Sequence, residues 1–408
     1  MRRVVVTGVG GVSALGNSWE RIEAAFRAAR SGVRYMSEWE RFGDMSTRLG
    51  APCDHFEVPG QWTRKQLRGM GRVSQLAVRA SEHALNDAGL AGSELLGDGS
   101  MGVACGSCVG STADVVDFSQ MLITGDGSRV NANTYIRMMP HTAAANVSIF
   151  FGLTGRVIPT SSACTSGSQA IGYAFESIRH GYQSRMLAGG AEELCPTQAK
   201  AFDTLYATSR RNDEPHLTPR PYDTGRDGLV VGEGAAMLLL EDLDSARARG
   251  ARIHAEILGF ATNSDGAHVT RPEERTMRAV METSLANAGI TADQVGYVNG
   301  HGTATPQGDI AESRATSAVF GPRMPISSQK SFLGHTLGAC GALEAWFSIE
   351  MMKQRWFAPT LNLESVDAEC GELDYIRDSG RELDADIVVS NNFAFGGINT
   401  SLILKRIT

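Results

Sequence analysis

Short apolar runs alternate along the chain with longer segments in which apolar residues recur every three or four positions. Continuous apolar runs predict strands covered on both faces, and the three- and four-residue spacing predicts amphipathic helices. The predicted strands are residues 4–7, 101–105, 186–189, 236–241, 253–260, 295–299, 387–390 and 401–405. The predicted helices are residues 74–88, 169–180, 274–288, 310–319 and 342–354. This alternation predicts an α/β protein.

A charged, alanine-rich stretch, residues 243–252, lies near the middle of the chain. The predicted elements on its two sides follow a similar order, and the strand-and-glycine pattern VVVTGVG at 4–10 has a counterpart AEILGFA at 255–261. A chain of 408 residues is also longer than one small core requires. We therefore expect two related halves, residues 1–245 and residues 246–408.

Composition narrows the class of protein. A net charge of −7 gives no support for nucleic-acid binding, which normally leaves a basic surplus. No apolar stretch reaches the ~18–20 residues that a membrane span requires. The apolar N-terminal run contains several glycines and no cleavage motif, so we interpret it as a first strand rather than a secretory signal. Seven scattered cysteines, an odd number, favour a reducing compartment, and we expect a cytoplasmic protein.

A candidate nucleophile lies in the segment TSSACTSGS, residues 160–168, just before a predicted helix. Cys164 at a strand-to-helix turn would gain from the partial positive charge and free N–H groups of the helix N-terminus, which favour a thiolate. Small neighbours leave room for a thioester and for N–H groups directed at an oxyanion. The alternative is a buried cysteine in a tight turn, and this segment alone does not decide between the two.

Two histidines occupy glycine-flanked loops. His301 lies in NGHGTATP after a predicted strand, and His335 lies in SFLGHTLG before a predicted helix. Lys330 precedes His335 by five residues. Each residue taken alone has a structural interpretation, as a core histidine or as a lysine that extends to solvent. The combination of one cysteine, two loop histidines and a lysine is far less common.

Taken together, these motifs closely resemble the β-ketoacyl-acyl-carrier-protein synthases of the elongating type (synthase II). The segment NNFAFGGIN at 391–399 is similar to the glycine-rich gate loop of the same family. The four motifs occur in the family's order, and the resemblance extends over essentially the whole chain. It implies the thiolase fold, with two duplicated five-layered αβαβα halves: the first carries Cys164, and the second carries the His/His/Lys motifs and the gate loop.

The resemblance also implies a role for each catalytic residue. Cys164 would accept an acyl chain from acyl carrier protein, with an oxyanion hole formed by the backbone N–H groups of Cys164 and Phe395. His301 and His335 would then donate hydrogen bonds to the enolate formed when malonyl-carrier protein loses carbon dioxide. A histidine pair, in place of histidine and asparagine, points to elongation rather than initiation. Lys330 would orient the site, with Glu344 as its partner.

Further site residues follow from the same resemblance. Phe395 would gate the entry to Cys164, with Phe393 packed behind it, and Asp265 and Thr270 would belong to a second loop, 263–270, that contacts the gate. Position 394 is alanine where the family usually has glycine. No cofactor is required, although the family's structural Na⁺ or K⁺ site implies ligands at these positions: Asn299, Glu344, Ser390 and Asn391.

Substrate contacts are expected at two places. The acyl pocket would involve Val109 and Phe202, and the smaller valine, where the family commonly has isoleucine, could leave a deeper pocket. Acyl carrier protein is acidic, so it would dock on a basic patch. Such a patch occurs at helical spacing and comprises Arg64, Lys65, Arg68 and Arg72.

Several alternatives stay open. The chain could be a non-catalytic chain-length partner subunit, but such chains normally lose the cysteine. It could be a thioester hydrolase or decarboxylase, which leaves the second loop histidine unexplained. The resemblance implies a homodimer, and a heterodimer with a related ketosynthase chain stays open. The acyl chain, the carrier protein and the choice between primary fatty-acid and polyene or polyketide synthesis are also undecided.

Overall fold

Strands and helices alternate along residues 1–407, the part of the chain that this computed structural model describes. The strands are β1 (Val4–Ser13), β2 (Arg34–Tyr35), β3 (Leu49–Ala51), β4 (Met101–Gly106), β5 (Val157–Thr160), β6 (Arg185–Glu192), β7 (Val231–Gly232), β8 (Gly234–Asp242), β9 (Ala255–Ser264), β10 (Tyr297–Asn299), β11 (Pro325–Ser327), β12 (Trp356–Phe357), β13 (Asp374–Tyr375), β14 (Arg381–Glu382), β15 (Ile387–Ala394) and β16 (Ile398–Arg406). The α-helices are α1 (Trp19–Arg27), α2 (Arg64–Leu67), α3 (Arg72–Asp87), α4 (Thr112–Thr124), α5 (Ala132–Met138), α6 (Thr142–Phe151), α7 (Ser166–Arg179), α8 (Pro196–Asp203), α9 (Leu243–Ala248), α10 (Glu274–Ala288), α11 (Pro306–Phe320), α12 (Lys330–Leu333) and α13 (Cys340–Gln354).

The order of strands in the main sheet shows that the fold is duplicated. The order is β13-β11-β10-β15-β16-β9-β1-β8-β6-β4-β5. In the first half, neighbouring strands pair in the order β5-β4-β6-β8-β1; the first two pairings are parallel and the last two are antiparallel. The second half has the same sequence of pairings in the order β11-β10-β15-β16-β9. The halves join where β1 pairs antiparallel with β9. The expected duplication is confirmed, and the boundary between residues 245 and 246 stays a prediction.

Helices form three layers around the two sets of strands. α3 and α6 cover the outer face of the first set, and α10 covers the outer face of the second, with α11 packed on it. α7 and α13 lie between the sets and contact each other and strands of both halves. Their apolar side chains belong to one core cluster that also contains residues of β1, β8, β9 and β16. The layers therefore follow the order αβαβα that the resemblance implies.

The two central helices approach each other closely because small residues line their contact. A Cβ atom added to Gly167 of α7 would lie 2.8 Å from the carbonyl oxygen of Gly338 and 3.3 Å from the Cβ of Ala342. Glycine at this position therefore allows the first turn of α7 to pack against the start of α13. This contact brings the segment after β5 next to the loop that carries His335.

The eight predicted strands and five predicted helices all occur, with shifts at their ends. The region 112–151, for which the apolar pattern predicts nothing regular, contains α4, α5 and α6. In α4 the only buried residue is Asp114, and apolar residues such as Leu122 and Ile123 are exposed. Because apolar residues occur around much of α4, no single buried stripe marks the helix in the sequence. No helix in residues 1–407 is long and apolar enough to cross a membrane.

Candidate active site

Cys164 lies on a tight turn between β5 and α7. The preceding residue, Ala163, has a left-handed backbone with φ of 51°. The Cys164 side chain is 4% exposed and lies just before the N-terminus of α7. The thiol of Cys340, at the start of α13, donates a hydrogen bond to the Cys164 carbonyl at 3.1 Å. The second half thus fixes the turn, and the helix N-terminus provides the positive field that favours a thiolate.

His335 contacts the nucleophile directly. Its Nε2 atom lies 2.9 Å from the Cys164 sulfur. Its Nδ1 atom lies 3.3 Å from the backbone nitrogen of Leu337, whose N–H donates to it. A neutral imidazole that accepts at Nδ1 carries its proton on Nε2. The loop therefore presents an N–H donor of His335 to the space around the sulfur.

His301 is oriented by a buried lysine. Lys330 Nζ lies 3.1 Å from His301 Nδ1, and the same ammonium contacts the carboxylate of Glu344. An ammonium can only donate, so His301 accepts at Nδ1 and carries its proton on Nε2. The His301 and His335 rings are 5.1 Å apart and nearly perpendicular, at 88°. The expected pairing of Lys330 with Glu344 is present. The second half of the chain thus places two imidazoles beside Cys164, each with its proton on Nε2.

Burial dominates the proton equilibria of this cluster. It raises the pKa of the Cys164 thiol to about 12, although Lys330 and the backbone N–H groups of Phe395 and Cys164 act in the opposite direction. Burial, followed by the charge of Lys330, holds the pKa of both His301 and His335 well below the usual value. Burial lowers the pKa of Lys330, but the negative charge of Glu344 raises it, and the pKa of Lys330 is above its usual value as a result. The imidazoles are therefore neutral donors beside one retained positive charge.

Two buried carboxylates that the sequence analysis missed support the His301 loop. Glu312 on α11 accepts hydrogen bonds from the backbone N–H groups of His301 and Gly302, the latter at 2.7 Å. Asp309, one turn earlier, accepts from Thr303 at 3.0 Å. Burial raises the pKa of Glu312 to about 8 and that of Asp309 to about 6. The sequence signal was available: two acids three residues apart in the first turns of a helix that follows a histidine loop.

Glu192, at the end of β6, is a third missed carboxylate, and it joins the two halves. It accepts from the Ser107 hydroxyl at 2.9 Å and from the backbone N–H of Cys108 at 2.6 Å. It also accepts from the backbone N–H of Gly338 at 3.2 Å, in the loop that follows His335. Burial raises the pKa of Glu192 to about 7. This carboxylate holds the loop after β4 against the His335 loop.

The expected gate is a tight turn between β15 and β16. Gly396 and Gly397 have φ of 87° and 69°, the left-handed region that glycine tolerates best. The Phe395 ring packs against Phe202 with ring centroids 5.1 Å apart. The backbone N–H of Phe395 acts to lower the pKa of the Cys164 thiol, as a donor near the sulfur does. Phe395 thus contributes its main chain to the surroundings of the sulfur, and its ring lines the cavity.

The loop 263–270 contacts this turn, as expected. The Asp265 N–H donates to the Gly397 carbonyl at 2.7 Å, and the Gly396 N–H donates to the Val269 carbonyl at 2.8 Å. The Asp265 carboxylate accepts from Asn399 at 2.7 Å. Phe393 also contacts the catalytic cluster, and its expected packing behind Phe395 stays a prediction. Its buried ring meets the His301 ring edge-on, with centroids 6.2 Å apart, so it packs against the catalytic histidine.

A cavity of about 410 Å³ leads to the cluster. Its lining includes Cys164, His301, His335, Phe202, Phe393, Phe395, Asp265 and Thr270. Val109 is not among its lining residues, and its expected place in an acyl pocket stays a prediction. Val109 is 38% exposed, and its backbone N–H donates to Glu192 at 3.4 Å.

The expected basic patch is divided. Arg64 and Lys65 are exposed on the four-residue helix α2, and Arg68 is exposed at its end. Arg72 begins a separate helix and forms a two-pronged ion pair with Glu233, at 2.5 and 2.7 Å. Glu233 is 2% exposed and requires this counterion, so Arg72 has a structural role, while its side chain stays 40% exposed and its part in docking stays a prediction. The four residues therefore do not share one helix, because the chain breaks between α2 and α3, and spacing in the sequence did not reveal this break.

The residues expected to hold a monovalent cation fit such an ion in part. The side-chain oxygens of Asn299 and Ser390 are buried without a hydrogen-bond partner, on neighbouring residues of paired strands. Asn391 also has an unpartnered side-chain oxygen, but its side chain lies on the opposite sheet face, with its amide nitrogen 3.2 Å from the sulfur of Met281 on α10. Asn392 lies on the sheet face that packs against α13. Its side-chain oxygen is also unpartnered, and its side-chain nitrogen donates to Glu344 at 2.7 Å. Unpaired hard oxygens are ligands that suit such a cation.

Comparisons with known proteins agree with this geometry. The family model of the β-ketoacyl synthase N-terminal domain matches residues 1–246, and that of the C-terminal domain matches residues 254–364. A 3-oxoacyl-[acyl-carrier-protein] synthase 2 from Coxiella burnetii is 37% identical, with 100% of this chain and 99% of the relative covered. A crystal structure of a β-ketoacyl synthase from Burkholderia phymatum STM815 is 61% identical, with a TM-score of 0.99 and both chains covered completely.

A second similar structure contains a carrier protein. It is a type II PKS acyl-carrier protein in complex with its ketosynthase bound to the hexaketide, 31% identical with a TM-score of 0.87 and complete coverage of both chains. The duplicated five-layered fold, with Cys164, His301 and His335 meeting at its centre, defines a thiolase-fold condensing enzyme. The chain belongs to the β-ketoacyl synthase family, which confirms the resemblance seen in its motifs, and it is an acyltransferase that forms carbon–carbon bonds.

Proposed function

We propose that this enzyme transfers an acyl chain from acyl carrier protein to Cys164 and condenses it with malonyl-carrier protein to give β-ketoacyl-carrier protein. One observation carries the assignment of residues. Cys164 Sγ lies 2.9 Å from His335 Nε2, and the His301 ring stands 5.1 Å from the His335 ring. A nucleophile beside two neutral N–H donors suits both thioester exchange and enolate stabilisation.

In the first step the Cys164 sulfur attacks the carbonyl carbon of the incoming thioester. The tetrahedral oxyanion accepts hydrogen bonds from the backbone N–H groups of Cys164 and Phe395, the two main-chain donors that act to lower the pKa of the Cys164 thiol. The new sulfur–carbon bond forms and the bond to the carrier's sulfur breaks. The proton of the Cys164 thiol leaves with the released carrier thiol. The enzyme is then acylated and neutral at sulfur.

In the second step malonyl-carrier protein loses carbon dioxide, and the electron pair of the broken bond moves into an enolate. The enolate oxygen accepts from the Nε2–H groups of His301 and His335. Each such donor is worth ~2.7–4 kcal/mol in comparable oxyanion sites. The enolate carbon attacks the acyl carbonyl, a carbon–carbon bond forms, and the Cys164 sulfur leaves as a thiolate, which then takes up a proton.

Lys330 and Glu344 act as positioning residues in this scheme. Lys330 donates to His301 Nδ1, and so keeps the proton of His301 on the nitrogen that faces the substrate. The positive charge also favours the Cys164 thiolate that leaves in the second step. Glu344 keeps the lysine charged in a site that excludes water. A monovalent cation at Asn299, Ser390 and Asn392, beside Glu344, would complete this buried polar set as a structural ion.

The proposal includes the partners of the chain. Arg64, Lys65 and Arg68 form an exposed basic surface for the acidic carrier protein. A homodimer would cover the sheet edge at β5, where Val157 is 44% exposed and Ile149, on the helix α6 that packs on β5, is 79% exposed. Light scattering tests this assembly, because a monomer would contradict it. The free cysteines favour a reducing compartment, which supports the expected cytoplasmic location.

The experiment that tests the reaction mixes the enzyme with acyl-carrier protein and malonyl-carrier protein and measures β-ketoacyl-carrier protein by mass spectrometry. We expect product from the wild type and none from Cys164→Ala. Cys105→Ala is the matched control, because Cys105 is also buried but lies in β4 and does not line the cavity. Product from the Cys164→Ala variant would overturn the assignment of the nucleophile.

A further inference from the structure

The mouth of the active-site cavity carries one fixed positive charge. Among the described residues that line the cavity, Arg271 is the only lysine or arginine. The histidines of the lining are neutral, because their pKa values are well below the usual value. Two carboxylates of the lining, Asp265 and Glu312, are already hydrogen-bonded to Asn399 and to backbone N–H groups. Arg271 is therefore free of a strong partner within the cavity.

Arg271 is available to a ligand and its backbone is held in place. Its side chain is 66% exposed, and its nearest anion is Glu273 at 3.5 Å. An exposed pair of this kind contributes little and breaks easily. Two residues earlier, the Val269 carbonyl accepts the hydrogen bond from Gly396 at 2.8 Å. The loop that carries Arg271 is thus attached to the gate turn that borders Cys164.

The substrate brings an anion to this position. Acyl carrier protein presents its thioester on a phosphopantetheine arm, which is joined to the protein through a phosphodiester. When the thioester reaches Cys164 at the closed end of the cavity, the arm fills the cavity and the phosphodiester remains towards the mouth. A planar guanidinium is the side chain best suited to bind phosphate oxygens with two parallel hydrogen bonds.

We propose that Arg271 binds the phosphate at the end of the pantetheine arm, and that it exchanges Glu273 for this phosphate when the substrate enters. This inference rests on the proposed function. It makes Arg271 a specificity residue that recognises the arm itself, separately from the surface on which the carrier protein docks. The charge balance supports it, because the protein as a whole is acidic and the arm's anion otherwise meets no cation on the cavity lining.

The test uses small substrates, so that protein docking does not contribute. Acyl-pantetheine is compared with the methyl phosphodiester of acyl-phosphopantetheine, which has the same charge as the arm on the carrier. The readout is the rate of acylation of Cys164 at low substrate concentration. We expect the wild type to prefer the phosphodiester by about tenfold, the factor that ~1.4 kcal/mol represents. We expect Arg271→Ala to lose this preference while its rate with acyl-pantetheine stays unchanged.

Arg278→Ala is the matched control. Arg278 is also an exposed arginine paired with a glutamate, Glu282, at 2.8 Å, and it lies outside the cavity lining. The Arg278→Ala variant should keep the wild-type preference for the phosphodiester substrate. The Glu273→Gln variant should increase that preference, because Arg271 then loses its competing anion. Equal rates for the two substrates in the wild type, or a preference that survives in Arg271→Ala, would overturn the inference. No acylation from either substrate would instead count against the proposed function, so the two failures are distinguishable.

Discussion

The two ends of the active-site cavity are built differently. At the closed end, Lys330, His335 and Glu344 are each 2% exposed, and each is hydrogen-bonded to a neighbour. At the mouth, Arg271 and Tyr206 lie on loops, and Tyr206 is 80% exposed with the guanidinium of Arg210 over its ring. Polar groups withdrawn from water require fixed partners, whereas groups at a mouth can change partners.

This difference separates chemistry from recognition. The closed end holds its donors in fixed geometry before substrate arrives, which is what stabilisation of an oxyanion or enolate requires. The mouth must admit two different carrier-linked substrates, one after the other. The gate turn and the loop 263–270 at the mouth are joined by few hydrogen bonds. We therefore expect substitutions at the closed end to cost stability and rate together, and substitutions at the mouth to change selectivity with little loss of stability.

The largest expected effect comes from breaking the buried ion pair. Lys330→Ala leaves the Glu344 carboxylate buried without its cation, and loss of one partner of a buried pair costs roughly 3–5 kcal/mol. We expect this loss in the free energy of unfolding, measured with urea, together with a strong fall in condensation rate. The double variant Lys330→Met with Glu344→Leu should recover much of the stability but not the rate. Recovery of both would show that the pair has no part in catalysis.

The next effect separates the two reaction steps. His335→Ala should slow decarboxylation of malonyl-carrier protein by ~10²–10³-fold, the effect of losing one oxyanion donor. Acyl transfer to Cys164 should fall less, because backbone N–H groups provide its oxyanion hole. Release of carbon dioxide and acylation of Cys164 are measured separately, with His301→Ala as the comparison, since His301 does not contact the Cys164 sulfur. Equal losses of both steps in His335→Ala would contradict this division.

A smaller effect concerns pH. Burial raises the folded-state pKa of Glu312 to about 8, from a usual value near 4.5. The stability that this carboxyl contributes is therefore fully present below its unfolded pKa and is lost as the pH rises through the folded pKa. We expect the free energy of unfolding of the wild type, relative to Glu312→Gln, to fall between pH 5 and 8, by at most ~1.4 kcal/mol per pH unit. If the difference in free energy of unfolding between the wild type and Glu312→Gln stays constant or increases over this pH range, the raised pKa of Glu312 is contradicted.

The smallest effect is expected at the gate. Ala394 lies within β15, paired with Ile398, and its φ is not in the left-handed region. Restoring glycine by Ala394→Gly should therefore change the free energy of unfolding by no more than ~0.5–1 kcal/mol. Gly396→Ala, at φ of 87°, should cost ~1–2 kcal/mol. If Ala394→Gly has the larger effect on stability or acylation rate, alanine at this position alters the gate.

Sequence reasoning succeeded best where polar residues occur in small-residue loops next to apolar runs. Cys164, His301 and Lys330 have this setting, and the structure brings them together. It failed where the decisive contact comes from a distant part of the chain. Arg72 pairs with Glu233, far along the sequence, and only the folded structure shows which partner it has. The face of β15 on which Asn391 lies likewise depends on strand register, which residue type alone does not reveal.

The central claim is tested most directly by the mass of the intact enzyme. The enzyme is mixed with acyl-carrier protein, and malonyl-carrier protein is then added. We expect a mass gain equal to one acyl group, located on Cys164 by peptide mapping, which disappears on the addition of malonyl-carrier protein as β-ketoacyl-carrier protein forms. An acyl group that stays on Cys164 after that addition, or that appears on another residue, would contradict the account.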